Sequence, residues 1–219
     1  MKLAKKNPNS SIRSGYRYED LYVLQLCVEW LSEPQKYKSI RIQYVPEGTK
    51  GFAIDDVVVD FPDNTRSFYQ LKYKQNPDVD FWTFDHLLEK GLIRWIRSYQ
   101  MLNGRQHDRC YLISNGSPGA DVKKCLIGHH LDYGKIARHF PDILDMLRSH
   151  ISEDDQLENF FSNFRFVFNH PSKHELEEKL RTTLYEELKV TKAGVDSLLI
   201  YLAIQGSEQY PKVITLNEV

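Results

Sequence analysis

Cysteine is scarce in this chain: Cys27, Cys110 and Cys125 are the only three, widely spaced and set in apolar stretches. An odd, dispersed set excludes a disulfide framework and reads as buried thiols of a cytoplasmic protein. No run approaches the ~18 consecutive apolar residues of a membrane span. The start, Met1-Lys2-Leu3-Ala4-Lys5-Lys6, lacks the apolar centre of a signal peptide. Neither a membrane partner nor secretion is therefore expected. Internal repeats and low-complexity runs are also missing. Gly48-Thr49-Lys50-Gly51 is too short for the Gly-x-x-x-x-Gly-Lys-Ser/Thr frame of a phosphate-binding loop and reads as a turn. His129 and His130 point to different sides of any regular element, and neither they nor His139 have a cysteine at ligand spacing, so structural zinc is not expected.

Positive charge is not in excess either, the formal net charge being −1. That balance looks poor for binding nucleic acid, since phosphate neutralisation by Lys and Arg supplies most non-specific affinity. Its distribution is more telling. Residues 1–17 carry Lys2, Lys5, Lys6, Arg13 and Arg17 without an acid, whereas Glu153, Asp154, Asp155 and Glu158 crowd one later segment. The basic arm reads either as a solubilising tail or, with Lys72 and Lys74, as the lining of a nucleic-acid groove.

What the chain does have is 219 residues, 41% of them hydrophobic and 27% charged, enough for a sizeable core in one domain with or without a helical appendage. Two β-rich runs, Ala53–Phe61 and Arg66–Lys74, flank Pro62-Asp63-Asn64-Thr65, whose Pro, Asp and Asn are turn formers, so a hairpin is expected. Side chains alternate along a strand, which puts Gln70 and Lys72 on one face and Leu71 on the other. The acids Asp55 and Asp56 open the first strand. If they share the face of Gln70 and Lys72, oxygen ligands and an ammonium group surround one point. Hard cations such as Mg²⁺ take carboxylate and amide oxygens while keeping waters that a phosphate can displace. An ion there would stabilise charge on a scissile phosphate and lower the pKa of a bound water. Lys72 would orient or deprotonate that water, or neutralise developing charge. Each piece has a plainer structural role available: the acid pair as a strand boundary, and Gln-x-Lys as the solvated face of an edge strand.

A helix is expected to precede the hairpin. Tyr18, Leu21, Tyr22, Leu24, Leu26, Val28 and Leu31 supply its apolar face, and Ser14 is the candidate N-cap. Glu19 then lies in the first turns, either as an auxiliary metal ligand or as a partner of the helix dipole.

Beyond the hairpin, apolar spacing predicts one long helix over Asp80–Gly104, its aromatics Trp82 and Trp95 serving the core. Arg109–Ser114 alternates little and is bounded by Asn115-Gly116-Ser117-Pro118-Gly119, so it reads as a buried central strand. Past residue 120 helical patterns dominate: 120–127, 141–151, 156–162, 173–189 and 192–205. The alternation of Phe164, Phe166 and Phe168 is strand-like, Ser172 with Glu175 makes a capping box, and 211–219 reads as a short terminal strand. The expected fold class is α/β, a mixed β-sheet core flanked by helices with a mainly helical C-terminal part. The division expected is a core over 1–125 and, over 126–219, an extension packed on that core or continuing it.

Gly15-x-x-Tyr18-Glu19, Ile54-Asp55-Asp56-Val57 and Gln70-Leu71-Lys72 together resemble the PD-(D/E)xK nuclease superfamily, in the branch where Gln replaces the acid before the lysine. The pattern is similar to the nuclease domains of the Cap4 type (DUF4297-like) from bacterial anti-phage defence, with Mrr-like type IV restriction endonucleases a step further away. Tyr111-Leu112-Ile113-Ser114-Asn115-Gly116 and the segment from Phe164-Arg165-Phe166 to Asn169-His170-Pro171 look similar to the same branch. The resemblance implies a restriction-endonuclease-like core, with Glu19 as the helix acid, Asp55 as the main metal ligand, Gln70 as the replaced second ligand and Lys72 as the catalytic lysine. Asp56 competes with Asp55, because a one-residue change of register exchanges them.

The resemblance further implies a Mg²⁺-dependent endonuclease of double-stranded DNA, with Mn²⁺ as a possible substitute. Arg13, Arg17 and Lys74 are the expected nucleic-acid contacts. Relatives are fused to a sensor or ATPase, so this chain is expected to be an effector that acts as a homo-oligomer. Two rivals stand beside that expectation. One is a catalytically silent module that binds DNA or a partner protein. The other is an RNA nuclease, which shares the site and differs in the shape of the groove.

Overall fold

The computed structural model describes residues 8–102, 108–151, 154–186, 189–191, 193–194, 196–197 and 212–215, with side chains from Tyr18 onward. Its frame is a six-stranded mixed sheet in the order β7-β4-β3-β2-β1-β8. The strands are β1 (Ser39–Ile42), β2 (Val57–Asp60), β3 (Arg66–Lys72), β4 (Arg109–Ser114), β7 (Arg165–Val167) and β8 (Lys212–Ile214). β1, β2 and β3 run antiparallel to one another, β4 is parallel to β3, β7 is parallel to β4, and β8 closes antiparallel on β1. β2 is buried along its whole length, as a Val-rich central strand covered on both faces should be.

Alternation along the strands feeds two cores. Val58, Phe68, Leu112 and Phe166 face a layer that includes Leu87, Trp95, Ile96, Phe160 and Phe164. Val57, Val59, Leu71 and Ile113 face the opposite way, against Leu21, Leu24 and Val28 of α1 (Pro8–Ser32) and Leu176, Leu180 and Leu184 of α8 (Lys173–Glu186). The first layer is built from α2 (Phe84–Lys90), α3 (Leu92–Leu102), α4 (Ala120–Cys125), α5 (Tyr133–His139), α6 (Pro141–Arg148) and α7 (Asp154–Asn163). A small antiparallel pair, β5 (Leu126–Ile127) and β6 (His130–Leu131), follows α4. The molecule is thus a mixed α/β sheet flanked by helices, the class expected and one compatible with a restriction-endonuclease-like fold.

The hairpin forms as expected. Asn64 takes a left-handed φ of 63°, and Phe61 N–H donates to Thr65 O at 3.0 Å. β7 and β8, both from beyond residue 126, belong to the same sheet as the hairpin.

Several expectations are corrected. α1 begins at Pro8, so Ser14 lies inside the helix and is no N-cap, and Glu19 sits some three turns in rather than in the first. The helix expected over 80–104 is two helices. Thr83 caps α2 by accepting from His86 N–H, and Gly91, at φ 125°, closes it and redirects the chain into α3. Apolar spacing runs unbroken through that corner and hides it. Ser39–Ile42 and Tyr133–His139 were not foreseen as regular elements: the former is short, and the latter depends on Asp132 capping Lys135 N–H. The helix expected over 120–127 ends at Cys125, its last two residues entering β5. The helix expected over 192–205 and the stop at Asn103-Gly104 lie wholly or mostly outside the described residues.

Candidate active site

Because β2 and β3 are antiparallel, the entry to β2 lies beside the exit of β3. Val57 pairs with Tyr69, which brings the residue before β2, Asp56, level with Gln70. Asp56 Oδ2 accepts hydrogen bonds from Gln70 Nε2 and from Leu71 N–H, the latter at 2.7 Å, and lies 3.6 Å from Lys72 Nζ. Along β4 the register sets Gln70 beside Leu112 and Lys72 beside Ser114, on the sheet face of Phe68. Gln70 is buried, while the Lys72 side chain is 32% exposed and reaches solvent past Asp56. The two members of the acid pair therefore differ. Asp56 carries the bonds to Gln70, Leu71 and Lys72, and Asp55 stands outside that set.

Electrostatics tie the neighbouring acids to this centre. Burial pushes the Glu19 carboxyl up to about 8, helped by the charges of Asp56, Asp20 and Asp55 and opposed by Lys72. Asp55 is raised by burial and by Asp56, with Lys72 and Arg94 pulling the other way. Asp56 is raised by burial, against the stabilising pull of Lys72 and the donors Leu71 N–H and Gln70. Three carboxyl groups from α1 and the β2 entry thus feel one another and share one lysine. Raised carboxyls beside a cation in a partly buried spot are typical of functional sites.

The surroundings are anchored. Tyr18, one residue before Glu19, bonds through its hydroxyl to His170 Nδ1 at 2.8 Å, and its ring meets Tyr73 next to Lys72. Asn115, just past β4, receives Lys74 N–H and donates to Lys74 O, which fixes the chain leaving β3.

Of the expected nucleic-acid contacts, Arg13 and Arg17 have backbones in α1 but side chains outside the described residues. Lys74 is not presented to a groove. It is 5% exposed, its Nζ is 2.7 Å from Asp80 Oδ1, and it lies 4.4 Å from the Trp82 ring centroid. Alternation does carry it to the face of Lys72, but the loop after β3 folds over it. Arg94 was missed. It sits exposed on α3 with Arg97 one turn on, and the available signal was this i, i+3 arginine pair on the polar side of an otherwise apolar helix.

Among the described residues, no three His, Cys, Asp or Glu side chains converge as a ready-made metal cage. Mg²⁺ does not require one. It is commonly held by one or two carboxylates and keeps its waters for a phosphate substrate. Asp56, the amide of Gln70 and the neighbouring carboxyls of Glu19 and Asp55 are hard oxygen donors whose mutual repulsion a cation would relieve, so the donor set fits such an ion.

No protein-family model matches the sequence, and no curated protein matches it. Among solved structures, the chain is similar to the Cap4 SAVED/CARF-domain containing receptor of Acinetobacter baumannii, seen with the cyclic trinucleotide 3'3'3'-cAAA. There the identity is 15% and the TM-score 0.48, over 98% of this chain and 46% of that one. The same receptor with 2'3'3'-cAAA gives 14% identity and a TM-score of 0.48, over 99% of this chain and 44% of that one. The MspJI restriction endonuclease in complex with a 27-mer oligonucleotide gives 11% identity and a TM-score of 0.39, over 85% of this chain and 31% of that one. The chain therefore spans less than half the length of each of these proteins. Among the described residues, no helix is long and apolar enough to cross a membrane.

Proposed function

We propose that this chain is a metal-dependent endonuclease of double-stranded DNA, the cleaving part of an anti-phage defence system. The observation that carries the reading is the Asp56 carboxylate held by Gln70 and Leu71 N–H, with Lys72 at 3.6 Å and the raised carboxyls of Glu19 and Asp55 beside it. The sequence motifs on α1, β2 and β3 give it a chemical meaning, and they are the basis for placing it in defence. In this reading Asp56 is the principal ligand of Mg²⁺ or Mn²⁺, Gln70 the second, and Glu19 and Asp55 are further carboxyl oxygens beside them, Glu19 giving up its proton where a cation offsets the neighbouring charges. Mg²⁺ held there supplies positive charge to the scissile phosphate and a water of lowered pKa. Lys72, part-exposed and tethered by Asp56, places its ammonium where it can hold a water for attack or neutralise the charge that develops on phosphate. The Leu71 N–H keeps Asp56 from swinging away. A fused or associated sensor or ATPase, and activation by homo-oligomerisation, complete the proposal.

The experiment is cleavage of supercoiled plasmid in Mg²⁺ by the protein and by Lys72→Ala. Loss of a general acid–base group of this kind costs about 10²–10⁴ in rate. The variant is expected to lose at least the lower figure, with its unfolding temperature little changed because Lys72 is part-exposed. Equal cutting by both proteins would remove Lys72 from the mechanism.

A second reading, a catalytically silent module that binds DNA or a partner protein, is favoured by one observation. Gln70 is neutral and presents its amide nitrogen to Asp56, so the pair is satisfied without a cation. Absence of both Mg²⁺ and Mn²⁺ binding, with DNA affinity unchanged in Asp56→Asn, selects it. Cleavage of RNA rather than DNA in the same assay selects the RNA nuclease.

A further inference from the structure

The segment that delivers Asp55 and Asp56 is pinned to α3. Ala53 N–H donates to Ser98 Oγ at 2.8 Å, and Ser98 Oγ donates in turn to Arg94 O at 2.8 Å. Ala53, two residues before Asp55, is therefore held to the same helix that carries Arg94 and Arg97. Trp95, Ile96 and Ser98 of that helix are buried, which turns Arg94 and Arg97 outward, and both are exposed. Arg94 also depends on Gly91. A Cβ at Gly91 would come within 3.1 Å of Arg94 Nη2 and 3.3 Å of Arg94 Nε, so the guanidinium lies folded back over the corner between α2 and α3. Its charge is felt at Asp55. Among the described residues, no carboxylate lies within ion-pair distance of Arg94 or Arg97, although Arg41, Arg66, Arg148 and Arg181 each have such a partner.

We infer that Arg94 and Arg97 form a phosphate-backbone contact that lays a nucleic-acid strand along α3 and across the Asp56–Lys72 centre. The inference rests on the nuclease reading above and adds the surface by which the substrate is held. Residues one helical turn apart have Cβ atoms roughly 5–6 Å from one another, and long guanidinium side chains from that spacing can splay to meet neighbouring phosphates. Arginine suits the task because its planar fork offers two parallel donors to phosphate oxygens and keeps its charge at any working pH. The arrangement also resolves an imbalance. The acid cluster by itself repels a polyanion, and two arginines on α3 that have no ion-pair partner among the described residues offset that repulsion where the strand must pass.

The test is equilibrium binding of a short fluorescein-labelled DNA duplex, followed by anisotropy over a salt series in EDTA so that no cleavage occurs. Each phosphate contact contributes about 0.9 to the slope of log affinity against log salt on duplex DNA. Arg94→Gln/Arg97→Gln is expected to lose about 1.8 of that slope, whereas Arg94→Lys/Arg97→Lys keeps it. Arg138→Gln on α5, an exposed cation on an element that packs on α4, α6 and α7, is the control and is expected to leave the slope unchanged. An unchanged slope in the double glutamine variant overturns the inference, and so does an equal loss in the control. Binding in EDTA is independent of cleavage. A protein that cuts plasmid with an unchanged variant slope rejects this surface alone, and one that never cuts but shows the slope loss rejects the nuclease alone.

Discussion

A carboxyl group raised to about 8 works against the fold that holds it, and Glu19 is such a group. Its ordinary value lies near 4.5, so over the window from there to about 8 the folded chain binds more protons than the unfolded one, and stability falls as pH rises. Glu19→Gln removes that dependence. The variant is expected to match the native protein near pH 4, where the carboxyl is protonated in both states. It is expected to be more stable at pH 8 by about 1–3 kcal/mol, since each unit of displacement is worth ~1.4 kcal/mol before solvent screening. Urea denaturation at the two pH values measures this, and a gain of the same size at both contradicts it. Mg²⁺ should shrink the gain, because a cation among these carboxyls offsets their repulsion. Stability given up at a site in this way is a mark of function.

At this scale the sequence was legible in residue types and less so in geometry. The spacing of Asp55-Asp56 to Gln70-x-Lys72 brought the right segments together, because strand alternation and an antiparallel hairpin leave few alternatives. It could not decide which acid faces Gln70. That depends on where β2 begins, and β2 begins at Val57, with Asp56 held by Leu71 N–H. Lys74 shows the opposite limit: alternation gives the face of a side chain, not whether a following loop will cover it.

Among the elements, the corner between α2 and α3 has the most consequence. Gly91 has φ 125°, a region L side chains rarely adopt, and its N–H closes α2 on Leu87 O and Leu88 O. Gly91→Ala is expected to cost about 1–3 kcal/mol in strain, and it also displaces Arg94. Thermal and urea unfolding should show the loss, and an alanine variant as stable as the native chain would contradict the geometry. The link between β3 and β4 gives a second expectation. Arg66 Nη2 and Asp108 Oδ2 lie 2.7 Å apart with both side chains nearly buried. Asp108→Ala leaves the guanidinium buried without its partner, a change that typically costs about 3–5 kcal/mol. A loss under ~1 kcal/mol by urea denaturation, the usual worth of an exposed pair, would show that the ion pair is not buried in solution. β4, a short apolar run closed by Asn115-Gly116-Ser117-Pro118-Gly119, and α8, opened by its Ser172–Glu175 capping box, were readable in advance. α5 and β1 were not, because each is about a turn or two long or four residues wide and takes its stability from packing on its neighbours.

Taken whole, the molecule is a sheet closed on both faces, with its acids gathered where α1, the entry to β2 and the exit of β3 meet. β7 and β8 arrive from the far end of the sequence to flank β4 and β1 at the two edges of that sheet. Such long-range pairing is what local patterning reads least well. This meeting point is proposed to bind a divalent cation through Asp56 and Gln70. The most direct measurement is the anomalous difference map of crystals soaked in Mn²⁺. One strong peak is expected about 2.0–2.3 Å from a carboxylate oxygen of Asp56 and from the Gln70 amide oxygen, that amide having turned over to present oxygen in place of nitrogen. A map with no peak at this point at saturating Mn²⁺, and Gln70 still donating to Asp56, would contradict it.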